Sequence, residues 1–369
     1  MTPTIFETPD AAVPMESELT VHEINPLRDS RWQDLIDRHP RSTVFHSNGW
    51  LEALRRTYGY EPVVYSTTGK DEPLKNGLVL CRINSRLTGN RLVSLPFSDH
   101  CQPLVDDPVE LLALLKSIEK SASGKHCKYI ELRPLIPFDP GLEAASRAAS
   151  DDSLCIHMLD LRPSADALLK SFHKSQIQRK LNRAQKEELR IGEGQSDELL
   201  QDFFRLMLMT RRRHRLPPQP KDWFRNLLSC LGKDAVIRVA YKGETPVASI
   251  FTLAWKKTLI YKYGCSDSAF NNMGGTPLLF WHSIQEAKKQ GLEEFDFGKS
   301  EVANEGLVNF KDHWGSTRTS LRYYRYPRTS SIAPSEKKNW KLSLAEHVFA
   351  RLPDSCLALT GKLLYRHIG

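Results

Sequence analysis

The sequence predicts a mixed α/β fold built from two tandem units and followed by a helical tail. The chain has 369 residues, and at roughly 100–200 residues per domain this length favours two domains. Its composition, 40% hydrophobic and 26% charged residues, is that of a globular protein. Strand-like and helix-like segments alternate along both halves in a similar coarse order, which favours two copies of one architecture.

The first unit is predicted at residues 19–150, after an acidic leader at 1–18 that we expect to be disordered. Segments typical of strands occur at residues 19–24, 62–66, 77–83, 91–95 and 128–133. Apolar residues recur at helical spacing in three segments, 30–38, 47–59 and 107–121. Ser47 is a favourable N-cap for the second of these helices, and Gly59 is a favourable end for it.

The second unit is predicted at residues 151–328, after a small, polar junction at 141–152. Its strands are expected at residues 154–161, 235–241, 245–255, 258–264 and 292–297. Helices are expected at residues 165–188, 196–212, 223–231 and 276–291, the last with Thr276 as its cap and Pro277 in its first turn. The remaining residues, 329–369, are predicted to form a basic amphipathic helical tail.

Charge, cysteine and hydropathy patterns exclude several classes of protein. The net charge of +8 describes a basic protein rather than a polyelectrolyte. Seven scattered cysteines without C-x-x-C spacing argue against a disulfide framework or a zinc cluster, and the histidines show no metal-ligand spacing. No apolar run approaches the roughly 20 residues of a membrane span, and the N-terminal segment lacks the features of a secretory signal. We therefore expect a cytoplasmic protein without a metal.

A glycine-containing loop precedes the helix predicted at residue 276. Gly274 and Gly275 let the backbone approach a ligand closely, and a helix N-terminus offers unpaired N–H groups to an anion. The spacings G-x-G-x-x-G and G-x-x-x-x-G-K-[ST] are absent, which disfavours a dinucleotide oxidoreductase or a nucleotide phosphatase. A plain turn before a capped helix is the structural alternative.

Two charged residues downstream occupy apolar or aromatic surroundings. Asp296 lies between two phenylalanines of a predicted strand, so its side chain should point to the opposite face. Lys311 lies between Phe310 and Trp314, where its charge could neutralise a phosphate or an oxyanion. In the alternative interpretation, the two aromatic residues are core anchors and Lys311 is solvated. We expect the glycine loop and this segment to converge on one cavity.

Several motifs together resemble those of FemAB-like acyltransferases of the GNAT superfamily. They include F-D-F-G-K-S-E at 295–301, G-L-x-x-F-K-x-x-W-G at 306–315 and L-R-Y-Y-R-Y-P at 321–327, with upstream matches at 45–50, 58–60, 95–99 and 210–220. The resemblance covers residues 19–327. It implies two tandem GNAT-like domains that transfer an acyl or aminoacyl group to an amine. Asn271 to Thr276 does not match the usual coenzyme A signature, [RQ]-x-x-G-x-[GA], because the leading Arg or Gln is missing.

The resemblance and the chemistry of amide formation together suggest roles for individual residues. Asp296 and Asp99 are candidates to accept or relay the proton of the acceptor amine, although Asp99 could instead form an ordinary Asx turn. Lys311 is the candidate for charge stabilisation. Candidate donor-binding residues are Asn272, Gly274, Gly275 and Thr276. Candidate substrate-binding residues are Trp50, Tyr60, Arg179, Arg211, Arg212 and Trp314.

The expected partners follow from the resemblance and from two basic clusters at 170–186 and 211–215. The acceptor is expected to be a small-molecule or lipid-linked cell-envelope precursor, such as a polysaccharide sugar amine or a peptidoglycan peptide. The donor is expected to be acyl-CoA or aminoacyl-tRNA, with a slight preference for acyl-CoA because no helical hairpin insertion is evident between the strands of the second half. No tightly bound cofactor is expected. The tail could contact the inner membrane surface or pack on the protein. The competing function is a non-catalytic module that binds anionic lipid or RNA.

Overall fold

The computed structural model describes residues 19–123, 127–146, 148–326, 349 and 351–368. The predicted leader at 1–18 and the predicted tail between 329 and 348 lie outside the described residues.

Strands of both halves join into one mixed sheet of twelve strands within the described part of the chain. They are β1 (His22–Ile24), β2 (Glu61–Ser66), β3 (Leu78–Ile83), β4 (Asn90–Val93), β5 (Cys127–Leu132), β6 (Ala149–Asp160), β7 (Arg190–Gly194), β8 (Ala235–Lys242), β9 (Thr245–Trp255), β10 (Thr258–Ser266), β11 (Glu294–Glu301) and β12 (Thr317–Tyr326). Their order across the sheet is β1-β2-β3-β4-β5-β12-β6-β11-β10-β9-β8-β7.

Helices cover both faces of this sheet. They are α1 (Ser30–Arg38), α2 (Asn48–Tyr58), α3 (Pro108–Ser123), α4 (Pro140–Ser146), α5 (Ala165–Ser171), α6 (Arg179–Lys186), α7 (Asp197–Arg213), α8 (Lys221–Leu231), α9 (Gly275–Lys289), α10 (Glu305–Asp312) and α11 (Asp354–Ile368). Ser47 caps α2 by accepting a hydrogen bond from the Trp50 amide, and Gly59 ends that helix in the left-handed conformation, as predicted.

The two halves repeat one connection, which confirms the predicted fold class. In the first half, β2, β3 and β4 are antiparallel, and α3 then leads to β5, which lies parallel to β4. In the second half, β8, β9 and β10 are antiparallel, and α9 leads to β11, which is parallel to β10. Strand β12 pairs with both β5 and β6 and so joins the halves into one sheet.

Aromatic side chains from both halves form a shared core. Trp50 of α2 packs edge-on against Trp223 of α8, with ring centroids 5.2 Å apart, and both side chains are fully buried. The prediction that Trp50 binds substrate is therefore wrong: the helical spacing that placed Trp50 on one side of α2 reflects core packing. Burial of two tryptophans across the junction stabilises the contact between the halves.

Two predicted segments differ from the structure for tertiary reasons. The helix expected at 165–188 is divided, because Phe172 adopts an extended conformation and His173 donates its backbone N–H to His313 O at 2.8 Å. A π-helical turn, Lys174–Gln178, then leads into α6. The expected junction at 141–152 is not a plain linker, since it contains most of α4 and the start of β6. Both differences depend on contacts that local periodicity does not encode.

The tail helix packs on the protein. Tyr60 donates its hydroxyl hydrogen to Tyr365 O at 2.7 Å, and Arg212 donates to Leu352 O at 2.9 Å. A side chain at Gly361 would clash with the carbonyl oxygen of Pro218, so α11 approaches that segment closely. Of the two alternatives for the tail, packing is therefore observed. Tyr60 and Arg212, both predicted to bind substrate, instead anchor this helix. No helix in the described ranges is long and apolar enough to cross a membrane.

We expect acid to destabilise the fold through His46. This imidazole is fully buried, its Nδ1 accepts from Thr43 N at 3.0 Å, and its Nε2 lies 2.8 Å from Gln102 O. Burial lowers the pKa of His46 to about 4. In the unfolded chain His46 binds a proton near pH 6.5, whereas in the folded chain it does so only near pH 4. The contribution of neutral His46 to the free energy of unfolding should therefore be fully present above pH 6.5. It should fall by about 3 kcal/mol as the pH drops from 6.5 to 4.

Thermal unfolding measured across this pH range tests the prediction. His46→Gln should be less stable at neutral pH but should show a shallower loss between pH 6.5 and 4. An identical pH profile in the two proteins would contradict the assignment.

Candidate active site

The parallel strands β10 and β11 separate partway along their length. They pair only from Thr258 with Glu294 to Ile260 with Asp296. Beyond this point both strands are irregular: the register of β10 shifts between Tyr261 and Tyr263, and that of β11 shifts after Asp296. The backbone groups facing the gap are therefore not consumed by sheet hydrogen bonds between these two strands, and other groups can approach them.

Lys311 holds the irregular part of β11 in place. Its ammonium group donates to Gly298 O at 2.6 Å and to Lys299 O at 3.0 Å, and only 2% of the residue is exposed. Burial lowers the pKa of Lys311 to about 8. The alternative of a solvated Lys311 is thus wrong, because the residue is enclosed on the inner side of α10.

A first cavity of about 310 Å³ opens at the start of α9. Its lining consists of residues from α6, β9, β10, the loop before α9, α9 itself and α10, namely Lys180, Val247, Ala248, Ser266, Phe270, Asn271, Gly275, Thr276, Pro277 and Phe310. The first backbone N–H groups of a helix have no acceptor in a preceding turn, and the positive end of the helix dipole lies there. With Lys180 in its lining, this cavity suits a phosphate-bearing ligand.

The glycines at this position are required by the backbone. Gly274 has φ +81° and precedes α9 as its N-cap, so Thr276 is not the cap that the sequence suggested. A Cβ at Gly274 would collide with the carbonyl oxygen of Lys180. The close approach of α6 to this loop brings Lys180 to the cavity. Asn272 is exposed and does not line the cavity, whereas its neighbour Asn271 does.

A buried group of charged residues occupies the gap between the strands. Asp99 comes from the loop after β4, where Leu95 and Phe97 both have φ +62° and turn the chain towards the second half. Lys262 donates to Asp99 Oδ2 at 2.8 Å, and Tyr323 donates its hydroxyl hydrogen to Asp99 O at 2.6 Å. Burial would raise the pKa of Asp99, but the ammonium groups of Lys262 and Lys299 outweigh it and hold that pKa below its usual value.

Asp296 forms a second buried pair, with His100. His100 Nε2 lies 3.0 Å from Asp296 Oδ2, while Asp296 Oδ1 accepts from Gly298 N at 2.7 Å. The residues are 2% and 1% exposed, and His100 Nδ1 has no hydrogen-bond partner among the described residues. A carboxylate that orients an imidazole, whose other nitrogen is unpaired, is an arrangement able to accept a proton.

This pair borders a second cavity, of about 390 Å³, between the two halves of the chain. Its lining includes the apolar Trp255 and Ile136 and charged residues of both signs, namely Glu293, Glu294, Asp296, Arg41, Lys256 and Lys257. Successive strand residues face opposite sides, so Phe295 and Phe297 pack under α9 while Asp296 points the other way. The two cavities therefore lie on opposite faces of the sheet, with the charged group of Asp99, Lys262 and Lys311 between them.

The sequence-predicted residues are brought together only in part. Asp99 and Asp296 both lie near enough to Lys311 for their charges to oppose the lowering of its pKa that burial causes. The expectation of one shared cavity is corrected by the pleat of β11: Phe310 reaches the cavity at the glycine loop, whereas Asp296 borders the other one.

The remaining predicted residues lie apart from both cavities. Trp314 is fully buried against Phe172 and Phe280, so the prediction that it binds substrate is wrong and the alternative of a core anchor holds. Arg179 is exposed and Arg211 half-exposed, and neither lines either cavity.

Sequence reasoning missed His100 and Lys262, and it placed Lys180 only within the basic cluster at 170–186. A usable signal existed for Lys262, a charged residue between two tyrosines of an otherwise apolar strand, the same pattern that marked Asp296. His100 directly follows Asp99, but its partner lies 196 residues away, which one sequence does not reveal. No group of metal-ligating residues is found in the part of the chain that the structure describes.

Both the sequence of the second half and the fold of the chain are similar to those of known proteins. Residues 171–312, which include the first cavity, Asp296 and Lys311, match the family described as acetyltransferase (GNAT) domain. No curated protein matches the sequence. A crystal structure of FemX is similar with a TM-score of 0.64 at 15% identity, covering 82% of this chain and 96% of FemX.

Two further structures share the fold. The C-terminal domain (DUF2156) of a putative lysylphosphatidylglycerol synthetase from Agrobacterium fabrum has a TM-score of 0.54 at 13% identity, with 80% of this chain and 90% of that one covered. A tandem GNAT protein from the clavulanic acid biosynthesis pathway has a TM-score of 0.53 at 12% identity, with coverages of 83% and 98%. At these identities the similarity establishes the fold.

Proposed function

We propose that this chain, a GNAT-superfamily protein with the tandem fold of FemX, transfers an acyl or aminoacyl group to an amine of a cell-envelope precursor. The observation that carries the proposal is the phosphate-suited cavity at the start of α9, beside the point where β10 and β11 separate. For transfer, the acyl group would enter the gap between the strands from that cavity, and the side chains of Asp99, Lys262 and Lys311, which fill the gap in the structure, would move aside to let it reach the Asp296–His100 pair.

The donor is proposed to bind in the first cavity through its phosphates. Acyl-CoA and aminoacyl-tRNA both carry phosphates that the N-terminus of α9 and Lys180 could bind. No helical hairpin protrudes between β7 and β8, which favours acyl-CoA: the helices in this segment are α7 and α8, and their Phe203 and Phe224 are fully buried against the sheet. These helices belong to the core and leave no arm of their own to hold a tRNA.

The acceptor is proposed to enter the second cavity. An amine is protonated in water, and its ammonium form would meet Glu294 and Asp296, while Trp255 and Ile136 offer apolar contact. The cations of the lining have other partners: Arg41 pairs with Asp106, Lys256 donates to Ile36 O and His39 O, and Lys257 lies 3.2 Å from Glu293. The Asp296–His100 pair then removes the proton, leaving a lone pair on nitrogen for attack. A sugar amine or a peptide amine of an envelope precursor fits these requirements.

The chemical step needs no covalent intermediate with the protein. The acceptor nitrogen attacks the acyl carbon, a C–N bond forms, and the thioester C–S or ester C–O bond breaks. The second proton lost by the nitrogen passes to the leaving sulfur or oxygen, and the proton that the Asp296–His100 pair took from the ammonium group is released to solvent. Lys311, with two of its three hydrogens bound to carbonyl groups, retains one for charge that develops on the acyl oxygen. Asp99 holds Lys262 in place, because its lowered pKa makes it a weak base.

Purified protein incubated with labelled acetyl-CoA or with charged tRNA, together with amine acceptors, tests the proposal by transfer of label. Lys180→Ala should raise the KM for the donor about tenfold with little change in kcat, because one charge-assisted phosphate contact is lost. Lys186→Ala is the matched control, since Lys186 lies on the same helix, is exposed and does not line the cavity.

Absence of transfer from either donor, with RNA or lipid binding that depends on the α6 lysines, would favour the non-catalytic alternative. If Lys180→Ala and Lys186→Ala had equal effects on KM, the proposal that the donor binds in the first cavity would be wrong.

A further inference from the structure

Helix α11 carries a second apolar surface on the side that faces away from the protein. Its inner side is used for packing, where Leu357 and Gly361 are buried. On the outer side, Leu359 and Leu363 follow one another at a helical turn and are 58% and 62% exposed. Packing on the domains therefore accounts for only one of the two apolar sides of this helix.

The C-terminal end of α11 contacts a turn in the first half of the chain. Thr88 donates its hydroxyl hydrogen to His367 O at 2.7 Å, and Ser85 Oγ lies 3.0 Å from His367 Nδ1. These bonds hold the 85–89 turn against the end of α11. Leu87, at the tip of this turn, is 72% exposed. We call the surface formed by Leu359 and Leu363, together with Leu87 near the end of the helix, the tail face.

Positive charge surrounds the tail face. Arg86, Lys362 and Arg366 are exposed, and no Asp or Glu occurs from residue 355 to the end of the sequence. Lys362 lies 3.3 Å from Asp222, whereas neither Arg86 nor Arg366 forms an ion pair among the described residues. The exposed Leu359 and Leu363, with Lys362 and Arg366 beside them on the same helix, form the pattern of a helix that lies in a membrane interface.

We propose that the tail face docks the protein onto a bilayer that contains anionic lipid. The apolar side chains would enter the boundary between headgroups and acyl chains, and Arg86 and Arg366 would meet anionic headgroups. A symmetric contact between two copies fits less well, because it would place the same unpaired arginines of both copies close together. The proposal does not depend on acyl transfer, but it would hold the protein where a lipid-linked acceptor is found.

Co-sedimentation of the full chain with lipid vesicles tests this proposal. The protein should bind vesicles of phosphatidylcholine mixed with phosphatidylglycerol much more tightly than vesicles of phosphatidylcholine alone, and salt should weaken the binding. The double variant Leu359→Glu/Leu363→Glu and the double variant Arg86→Glu/Arg366→Glu should each weaken it about tenfold or more. Val109→Glu is the matched control, because Val109 is a 63% exposed apolar residue on α3 and should leave binding unchanged.

Two outcomes would overturn the proposal, provided that thermal unfolding shows the variants to be folded. One is the absence of binding to vesicles that contain phosphatidylglycerol, or binding that both double variants retain. The other is a dimer in sedimentation equilibrium that Leu359→Glu/Leu363→Glu dissociates without any vesicle binding. Since the assay contains neither donor nor acceptor, its failure would leave the transfer reaction untouched.

Discussion

Asp296→Asn should lower kcat roughly 10²–10⁴-fold, the usual contribution of a positioned proton acceptor. The amide keeps an oxygen that can accept from Gly298 N, so the irregular turn of β11 should survive the substitution. It has lost the carboxylate that orients the His100 imidazole. The KM for the donor should change little, because the donor is proposed to bind on the other face of the sheet. Initial rates with labelled donor, together with thermal unfolding, measure both parts.

Asp160→Asn is the control for this substitution, because Asp160 is an exposed carboxylate of the adjacent strand β6 that borders neither cavity. His100→Gln provides a second variant, since glutamine can still donate to Asp296 but cannot take up a proton. Transfer at the normal rate by either folded variant at position 296 or 100 would exclude the proposed proton path.

Asp99→Asn should reduce the free energy of unfolding by about 3–5 kcal/mol, the cost of leaving a buried charge without its partner. Lys262 and Asp99 have side chains only 5% and 10% exposed, with 2.8 Å between Nζ and Oδ2. The pair also links the loop after β4 to β10, so losing it should weaken the contact between the two halves of the chain. Chemical denaturation at neutral pH measures the change.

Asp99→Asn combined with Lys262→Met should recover much of the lost stability, because no unpaired charge then remains buried. Asp354→Asn removes a carboxylate that is 60% exposed and bound to Arg212, and should cost no more than about 1 kcal/mol. If Asp99→Asn lowered the free energy of unfolding no more than this exposed control does, the pair of Asp99 and Lys262 would not stabilise the fold as proposed.

Local patterns in the sequence predicted the fold class and several features of the site. The repeated order of strands and helices follows from hydrophobic periodicity, which is a property of neighbouring residues. A carboxylate between two phenylalanines of a strand predicted that Asp296 would face away from them, and it does. The glycine loop before α9 could be recognised because positive φ and close approach leave few residue types possible.

Contacts between distant parts of the chain could not be predicted in the same way. Trp50 and Trp314 belong to motifs that suggested ligand contact, yet both are fully buried, since a single sequence does not distinguish an aromatic residue of the core from one of a cavity. The pairing of Asp99 with Lys262 spans 163 residues and depends on a turn with two non-glycine residues at positive φ. The point at which β10 and β11 separate depends on irregularities in both strands, which no residue pattern announces.

Hydrogen–deuterium exchange with and without saturating acetyl-CoA, and in parallel with charged tRNA, tests most directly whether the two cavities form one site across the sheet. We expect one of these donors to slow exchange in two distant segments, the first turn of α9 and the loop around His100. Protection confined to the basic helices α6 and α11, or none with either donor, would contradict this expectation.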